Sequence, residues 1–210
     1  VLGFRGCRLF IVYPEIAAMQ MDAVLTAAIQ SQQNGLNVLP EIMIPLVATS
    51  GELEVILQGL EQTAQQTFHR LGERIAYKIG TMMEVPRACV QSRTVAPQVQ
   101  FMSFGTNDLT QTTFGLSRED MGKFLPNYLE HKILPFNPFI SLDQQGVGNL
   151  IRMALEQSRK VQKKMKYGIC GEHAGDPRSI MFFHRIGMDY VSCSPHRIPA
   201  ARIAAAKASI

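Results

Sequence analysis

An α/β fold built on a parallel sheet is what this sequence predicts, and three observations carry the prediction. Short apolar runs of strand length alternate six times with stretches of helical periodicity, the pattern of strands joined by helical crossovers. One run, FMSF at 101–104, breaks at Gly105 into Thr106, Asn107 and Asp108, which is how a buried parallel strand ends when its carboxyl end faces a ligand. The 210 residues, 46% of them hydrophobic, suffice for one full core, so residues 1–210 are expected to form a single domain.

The opening VLGFRGCRLF reads as a short strand entering a turn. Over 14–33, Ile16, Met19, Ala23, Val24 and Ala27 recur at helical spacing, and Asn34-Gly35 is placed to close the helix. A strand at 41–45 follows, and Thr49 with Glu52 makes a capping-box pair that opens a helix running to Leu71-Gly72. Residues 75–79 are strand-like and deliver Glu84 just beyond the strand end. A helix is due at 89–100, although Ser92, Thr94 and above all Pro97 oppose it. Residues 112–146 carry Pro126, Pro135 and Pro138 with little periodicity and read as an excursion over the strand ends. Helical spacing returns at 147–161 through Leu150, Ile151, Ala154 and Leu155. A strand at 166–170, a helix opened by Asp176-Pro177 and closing near Gly187, a strand at 190–193 and an alanine-rich helix from Pro199 complete the chain. No solenoid-type repeat interrupts this alternation.

Lys and Arg number 21 against 17 Asp and Glu, a formal charge of +4. That excess is too small and scattered for a nucleic-acid footprint, yet it suits small anionic substrates. Cys7, Cys89, Cys170 and Cys193 lack C-x-x-C spacing and sit in apolar surroundings, which favours free thiols in a reducing compartment over disulfides or zinc. No apolar stretch approaches the ~18 residues of a membrane span, and no secretory pattern is present. A soluble protein of the cytoplasm, or of an organelle lumen in a eukaryote, is expected, with neither nucleic acid nor membrane as partner.

Four motifs narrow the function: GTMME at 80–84, GTNDLTQ at 105–111, GICGEH at 168–173 and LGFRGCRL at 2–9. Together they resemble the phosphoenolpyruvate/pyruvate-binding barrel of the pyruvate, phosphate dikinases, a branch of the PEP-utilising enzymes. The segments RGCRL, FGLSRED and GVGNL resemble the dikinases more than phosphoenolpyruvate synthase or phosphotransferase-system enzyme I. The resemblance implies a (β/α)8 TIM-type barrel, here incomplete, comprising about the last six β/α units. The chain begins without an initiator Met and inside a motif, so it reads as a fragment from which the ATP-grasp and phosphohistidine domains are absent. The fragment alone is not expected to complete a reaction.

Glu84 and Asp108 follow neighbouring strands, so both carboxylates can point into one mouth, and two carboxylates completed by substrate oxygens and water suit Mg2+. By resemblance these two residues bind Mg2+ and substrate, and Gly105, Thr106 and Asn107 line the substrate. Arg5, matching the substrate-binding arginine of RGCRL, and Arg118 are the expected anionic anchors, since a guanidinium offers carboxylate or phosphate a bidentate fork. Cys170 matches the proton donor of GICGE, and an ordinary thiol, mostly protonated at neutral pH, can fill that role. His173 and Glu172 are read as hydrogen-bonding neighbours, because the family's phosphohistidine lies on a separate domain. That domain, phosphoenolpyruvate or pyruvate, and a second copy bound through the barrel are the expected partners. Two alternatives stay open: phosphoenolpyruvate synthase or enzyme I, and an inactive remnant serving as a dimerisation or regulatory module.

Overall fold

The computed structural model describes residues 3–210 and contains five parallel strands, each hydrogen-bonded to its neighbour in sequence. They are β1 (Glu41–Ile44), β2 (Lys78–Met82), β3 (Phe101–Gly105), β4 (Lys166–Cys170) and β5 (Tyr190–Ser192). Consecutive order with helices in the crossovers is the winding of a (β/α) barrel, here left open between β1 and β5. The sheet curls. Lys166 Nζ on β4 stands 3.3 Å from both carboxylate oxygens of Glu41 on β1, although β2 and β3 lie between them. Three strand spacings of ~4.8 Å in a flat sheet would separate their backbones by roughly 14 Å. Curvature brings these side chains together across the concave face at the amino ends of the strands.

The helices pack outside. α1 (Cys7–Val12) and α2 (Pro14–Gln33) precede β1, and α3 (Ser50–Leu71) follows it. The predicted capping box is present: Thr49 Oγ1 accepts from Glu52 N at 3.2 Å, and Glu52 Oε2 accepts from Thr49 N at 2.8 Å. β3 is buried along its whole length, as a central parallel strand must be. The capped helix, α8 (Val147–Val161), β4 and the Asp176-capped α9 (Pro177–Arg185) stand where the periodicity placed them.

Four expectations need correction. The opening strand is not there: residues 7–12 form α1, whose turn closes locally through Leu9 N to Gly6 O at 3.0 Å. Val1 and Leu2 of that expected strand lie outside the described residues. The strand expected at 75–79 begins at Lys78, because residues 73–77 make the approach and Lys78 pairs with Glu41. The helix α2 buries Ala17, Met21, Leu25, Ala28 and Ile29, whereas Met19 and Val24, two of the residues whose spacing announced it, are exposed. Apolar residues surround this helix on most sides, so spacing alone does not choose the buried stripe. Finally, α6 (Thr106–Phe114) starts directly at the end of β3, which shortens the excursion.

The segment at 89–100 breaks as its composition implied. It forms α4 (Pro86–Val90), α5 (Ser92–Val95) and a 3-10 turn at Ala96–Gln98. The excursion itself carries a short helix, α7 (Leu125–Glu130), and the chain ends in α10 (Ile198–Ala208). Among the described residues no helix is long and apolar enough to cross a membrane.

Candidate active site

Register decides what meets at the carboxyl ends of the strands. Met82 on β2 lies beside Ser103 on β3, and Gly105 at the end of β3 lies beside Cys170 at the end of β4. Residues 84, 105–108 and 170–173 therefore leave the sheet at one level.

Glu84 is 7% exposed. Its Oε1 accepts the Leu46 backbone N–H at 2.7 Å. Gly105 makes room for its other oxygen: a β-carbon there would stand 2.8 Å from Oε2, so only glycine admits the carboxylate at this spot. Asp108 sits in the first turn of α6, where a helix N-terminus favours negative charge. Arg5 approaches Asp108 at 3.7 Å with its side chain about half exposed, so this pair orients more than it stabilises.

Burial, reinforced by the Asp108 carboxylate, pushes the Glu84 carboxyl up to about 7, against the pull of the Leu46 amide and Arg5. Two partly desolvated carboxylates side by side resist ionising together unless a cation joins them. The donor set is oxygen only, and Mg2+ takes one or two carboxylates and completes its shell with water and substrate. Among the described residues no group of three or more His, Cys, Asp or Glu could hold a metal ion.

A stability prediction follows from the sign of the shift. A carboxyl with a higher pKa folded than unfolded favours folding below about pH 4.5 and loses that contribution as pH rises through about 7. The shift corresponds to about 3 kcal/mol. Metal-free protein is expected to melt at lower temperature at pH 8 than at pH 5, and Mg2+ is expected to restore the midpoint at pH 8 but hardly change it at pH 5. Calorimetric melts at both pH values check this; an equal effect of Mg2+ at the two would contradict it.

Cys170 Sγ lies 3.4 Å from Met82 Sδ and 3.7 Å from Phe104 O. Burial raises its pKa, the Ser103 hydrogen bond opposes that, and the Glu84 and Asp108 carboxylates raise it further. The thiol is thus kept protonated beside the two carboxylates. Burial pushes the Cys7 and Cys89 thiols up to about 11 and about 12, which keeps both unreactive.

Behind this group runs a hydrogen-bonded support. Asn107 Oδ1 accepts Glu172 N at 3.0 Å. Thr106 is fully buried, its hydroxyl 3.0 Å from Cys170 O and 2.8 Å from His173 Nδ1. The Thr106 side chain therefore braces the site from beneath instead of facing a ligand. His173, also fully buried, has Nε2 2.7 Å from Pro138 O, so Nε2 donates to that carbonyl, while Nδ1 and Cys170 O both lie within reach of the single Thr106 hydroxyl proton. Burial lowers the His173 pKa. Arg118 reaches the site's edge from the excursion, 3.8 Å from Glu172 and with its backbone N–H on Gln111 Oε1.

The structure thus gathers Arg5, Glu84, Gly105, Asn107, Asp108 and Cys170 at one mouth, with Thr106 behind them and Arg118 at the rim. Two members escaped sequence reasoning. Leu46 acts through its backbone amide, which no side-chain pattern reveals, and Met82, in contact with the Cys170 thiol, reads as an ordinary strand residue.

The pattern of the family described as "PEP-utilising enzyme, PEP-binding domain" matches residues 1–210. Pyruvate, phosphate dikinase 1, chloroplastic, of Oryza sativa subsp. japonica is 54% identical over 99% of this chain and 22% of its own length. The pyruvate, phosphate dikinase of Giardia intestinalis is 52% identical over 100% of the chain and 24% of its own length. That of Clostridium symbiosum is 50% identical over 100% and 24%. The chain spans about a quarter of the length of these curated relatives. Among solved structures, a citrate lyase from Burkholderia xenovorans LB400 superposes with a TM-score of 0.51 at 16% identity, covering 79% of this chain and 48% of that one, a likeness of fold alone. Matched over its whole length, and carrying its acidic pair, thiol and arginines at the carboxyl ends of parallel strands, the chain belongs to the PEP-utilising enzymes, as their PEP-binding domain.

Proposed function

We propose that this chain is the pyruvate/phosphoenolpyruvate-binding part of a pyruvate, phosphate dikinase. One observation carries the reading: two interacting carboxylates, a guanidinium and a protonated thiol converge at the ends of three adjacent strands. Glu84 and Asp108 would hold Mg2+, which when bound supplies positive charge against the developing enolate oxygen. Arg5 and Arg118 bind the carboxylate and phosphate oxygens of the substrate and orient it. Cys170 donates its proton to the methylene carbon of enolpyruvate; in reverse, its thiolate takes a proton from the pyruvate methyl group and leaves the enolate. The raised pKa keeps the thiol loaded for donation, and the thiolate, once formed, is the stronger base.

The enolate oxygen then accepts the phosphoryl group from a phosphohistidine domain of the same enzyme. The whole enzyme would interconvert ATP, phosphate and pyruvate with AMP, pyrophosphate and phosphoenolpyruvate. A homodimer through the barrel belongs to this reading. The free thiols support a reducing location, the cytoplasm or an organelle lumen.

The test uses the full-length protein that carries these residues. Supplied with pyruvate, ATP, Mg2+ and orthophosphate, it is expected to release pyrophosphate in amounts equal to the phosphoenolpyruvate formed. Product formation that does not require added orthophosphate would point to a synthase instead.

A further inference from the structure

Leu46, in the turn after β1, has φ 62° and is 1% exposed. It and Lys132 are the two non-glycine residues with positive φ among the described residues. A residue with a β-carbon avoids this conformation unless its surroundings impose it. Here the conformation accompanies an N–H aimed at Glu84 Oε1, 2.7 Å away.

What imposes it lies at the start of α1 and just before it. Cys7 N–H donates to Pro45 O at 3.0 Å and Cys7 Sγ–H to Leu46 O at 3.2 Å, two bonds to adjacent carbonyls of the turn. Gly6, itself at φ 60°, lies against the same turn: a β-carbon there would stand 2.8 Å from Leu46 Cβ and 3.1 Å from Pro45 O. The neighbouring Arg5 reaches Asp108. One short segment thus touches both acidic residues, one directly and one through Leu46.

We infer that Gly6 and Cys7 are positioning residues which clamp the Pro45–Leu46 turn, so that the Leu46 amide fixes one oxygen of Glu84 and leaves the other free for the cation. The inference rests on the reading of Glu84 as a Mg2+ ligand. Cys7 then serves as more than a packing thiol: it is a donor whose loss loosens a carboxylate it never touches.

Mn2+ binding to the full-length protein, followed by electron paramagnetic resonance without substrate, provides the test. Gly6→Ala is expected to weaken Mn2+ by about tenfold, the lower end of what hydrogen-bonding partners of metal ligands contribute. Cys7→Ala is expected to weaken it about three- to tenfold, and Cys7→Ser, whose hydroxyl still donates to Leu46 O, to restore it. Arg5→Gln removes a positive charge near the acidic pair and is expected to leave Mn2+ as tight or tighter, which separates the clamp from the anchor beside it. Should Gly6→Ala fail to fold, the Cys7 pair decides. Wild-type affinity in Cys7→Ala, or equal weakening in Cys7→Ala and Cys7→Ser, overturns the clamp while loss of binding in Glu84→Gln leaves the metal reading standing. Wild-type affinity in Glu84→Gln removes both.

Discussion

Replacing Cys170 by alanine is expected to slow solvent exchange of the pyruvate methyl protons by about 10³-fold or more while leaving Mn2+ affinity unchanged. The thiol ends β4 in register with Gly105 and feels both the Glu84 and Asp108 carboxylates, which puts it at the edge of the ligand site. Its Sγ contacts Met82 Sδ, a weak acceptor, and reaches Phe104 O only at 3.7 Å, and a thiol is itself a weak donor, so neither contact fixes the proton firmly in direction. Positioned proton transfer contributes roughly 10² to 10⁴ in rate, about 3 to 5 kcal/mol of barrier. A serine is not expected to rescue exchange, since a hydroxyl gives up its proton far less readily than a thiol. Proton NMR of pyruvate in deuterated buffer reads the effect, and wild-type exchange in Cys170→Ala would remove this residue from the chemistry.

The second large effect has opposite signs in two measurements. Glu84→Gln, and separately Asp108→Asn, should lower turnover by more than about 10³-fold, because charge stabilisation at the enolate oxygen typically supplies ~3 to 4 kcal/mol and substrate placement adds to it. Glu84→Gln keeps an acceptor for the Leu46 amide, so the fold has no reason to fail. In the absence of metal at pH 8 the variant is expected to be more stable than wild type, by up to about 3 kcal/mol, since it removes a buried charge held beside Asp108. For a chain of this size that is a rise in melting midpoint of roughly 6 to 12 °C. At pH 5 the difference should largely disappear, because Glu84 is itself protonated there. An inactive variant with an unchanged midpoint at pH 8 would mean that Glu84 is not a stored repulsion awaiting a cation.

This pairing of lost turnover with gained stability is the pattern of a site built against the preferences of the fold. Leu46 at φ 62° and the closeness of Glu84 to Asp108 are both unfavourable in isolation. The surrounding structure tolerates them through satisfied contacts: the amide on Glu84, the Cys7 bonds to the turn, and the Thr106–His173–Pro138 chain beneath the mouth.

Several parts of this architecture were legible in the residues alone. Thr49 and Glu52 announced α3 because a capping box is a local bargain between residues three apart, and Asp176-Pro177 announced α9 for the same reason. The buried run ending in polar residues at 101–108 announced β3 and its exit, since a parallel strand covered on both faces can place polar groups only at its end. Motifs at the strand ends likewise nominated Glu84, Asp108 and Cys170 before any geometry was known. Long-range packing decided the rest. The opening residues became α1 instead of a strand because Gly6 turns the chain and Cys7 docks on the turn after β1, a contact between residues about 40 apart. The buried face of α2 was settled by what it packs against, its own pattern being apolar on more than one side. Leu46 and Thr106 took their parts through a backbone amide and a buried hydroxyl. Neither role has a residue-type signature, because both depend on where the sheet's register and curl bring the partner group.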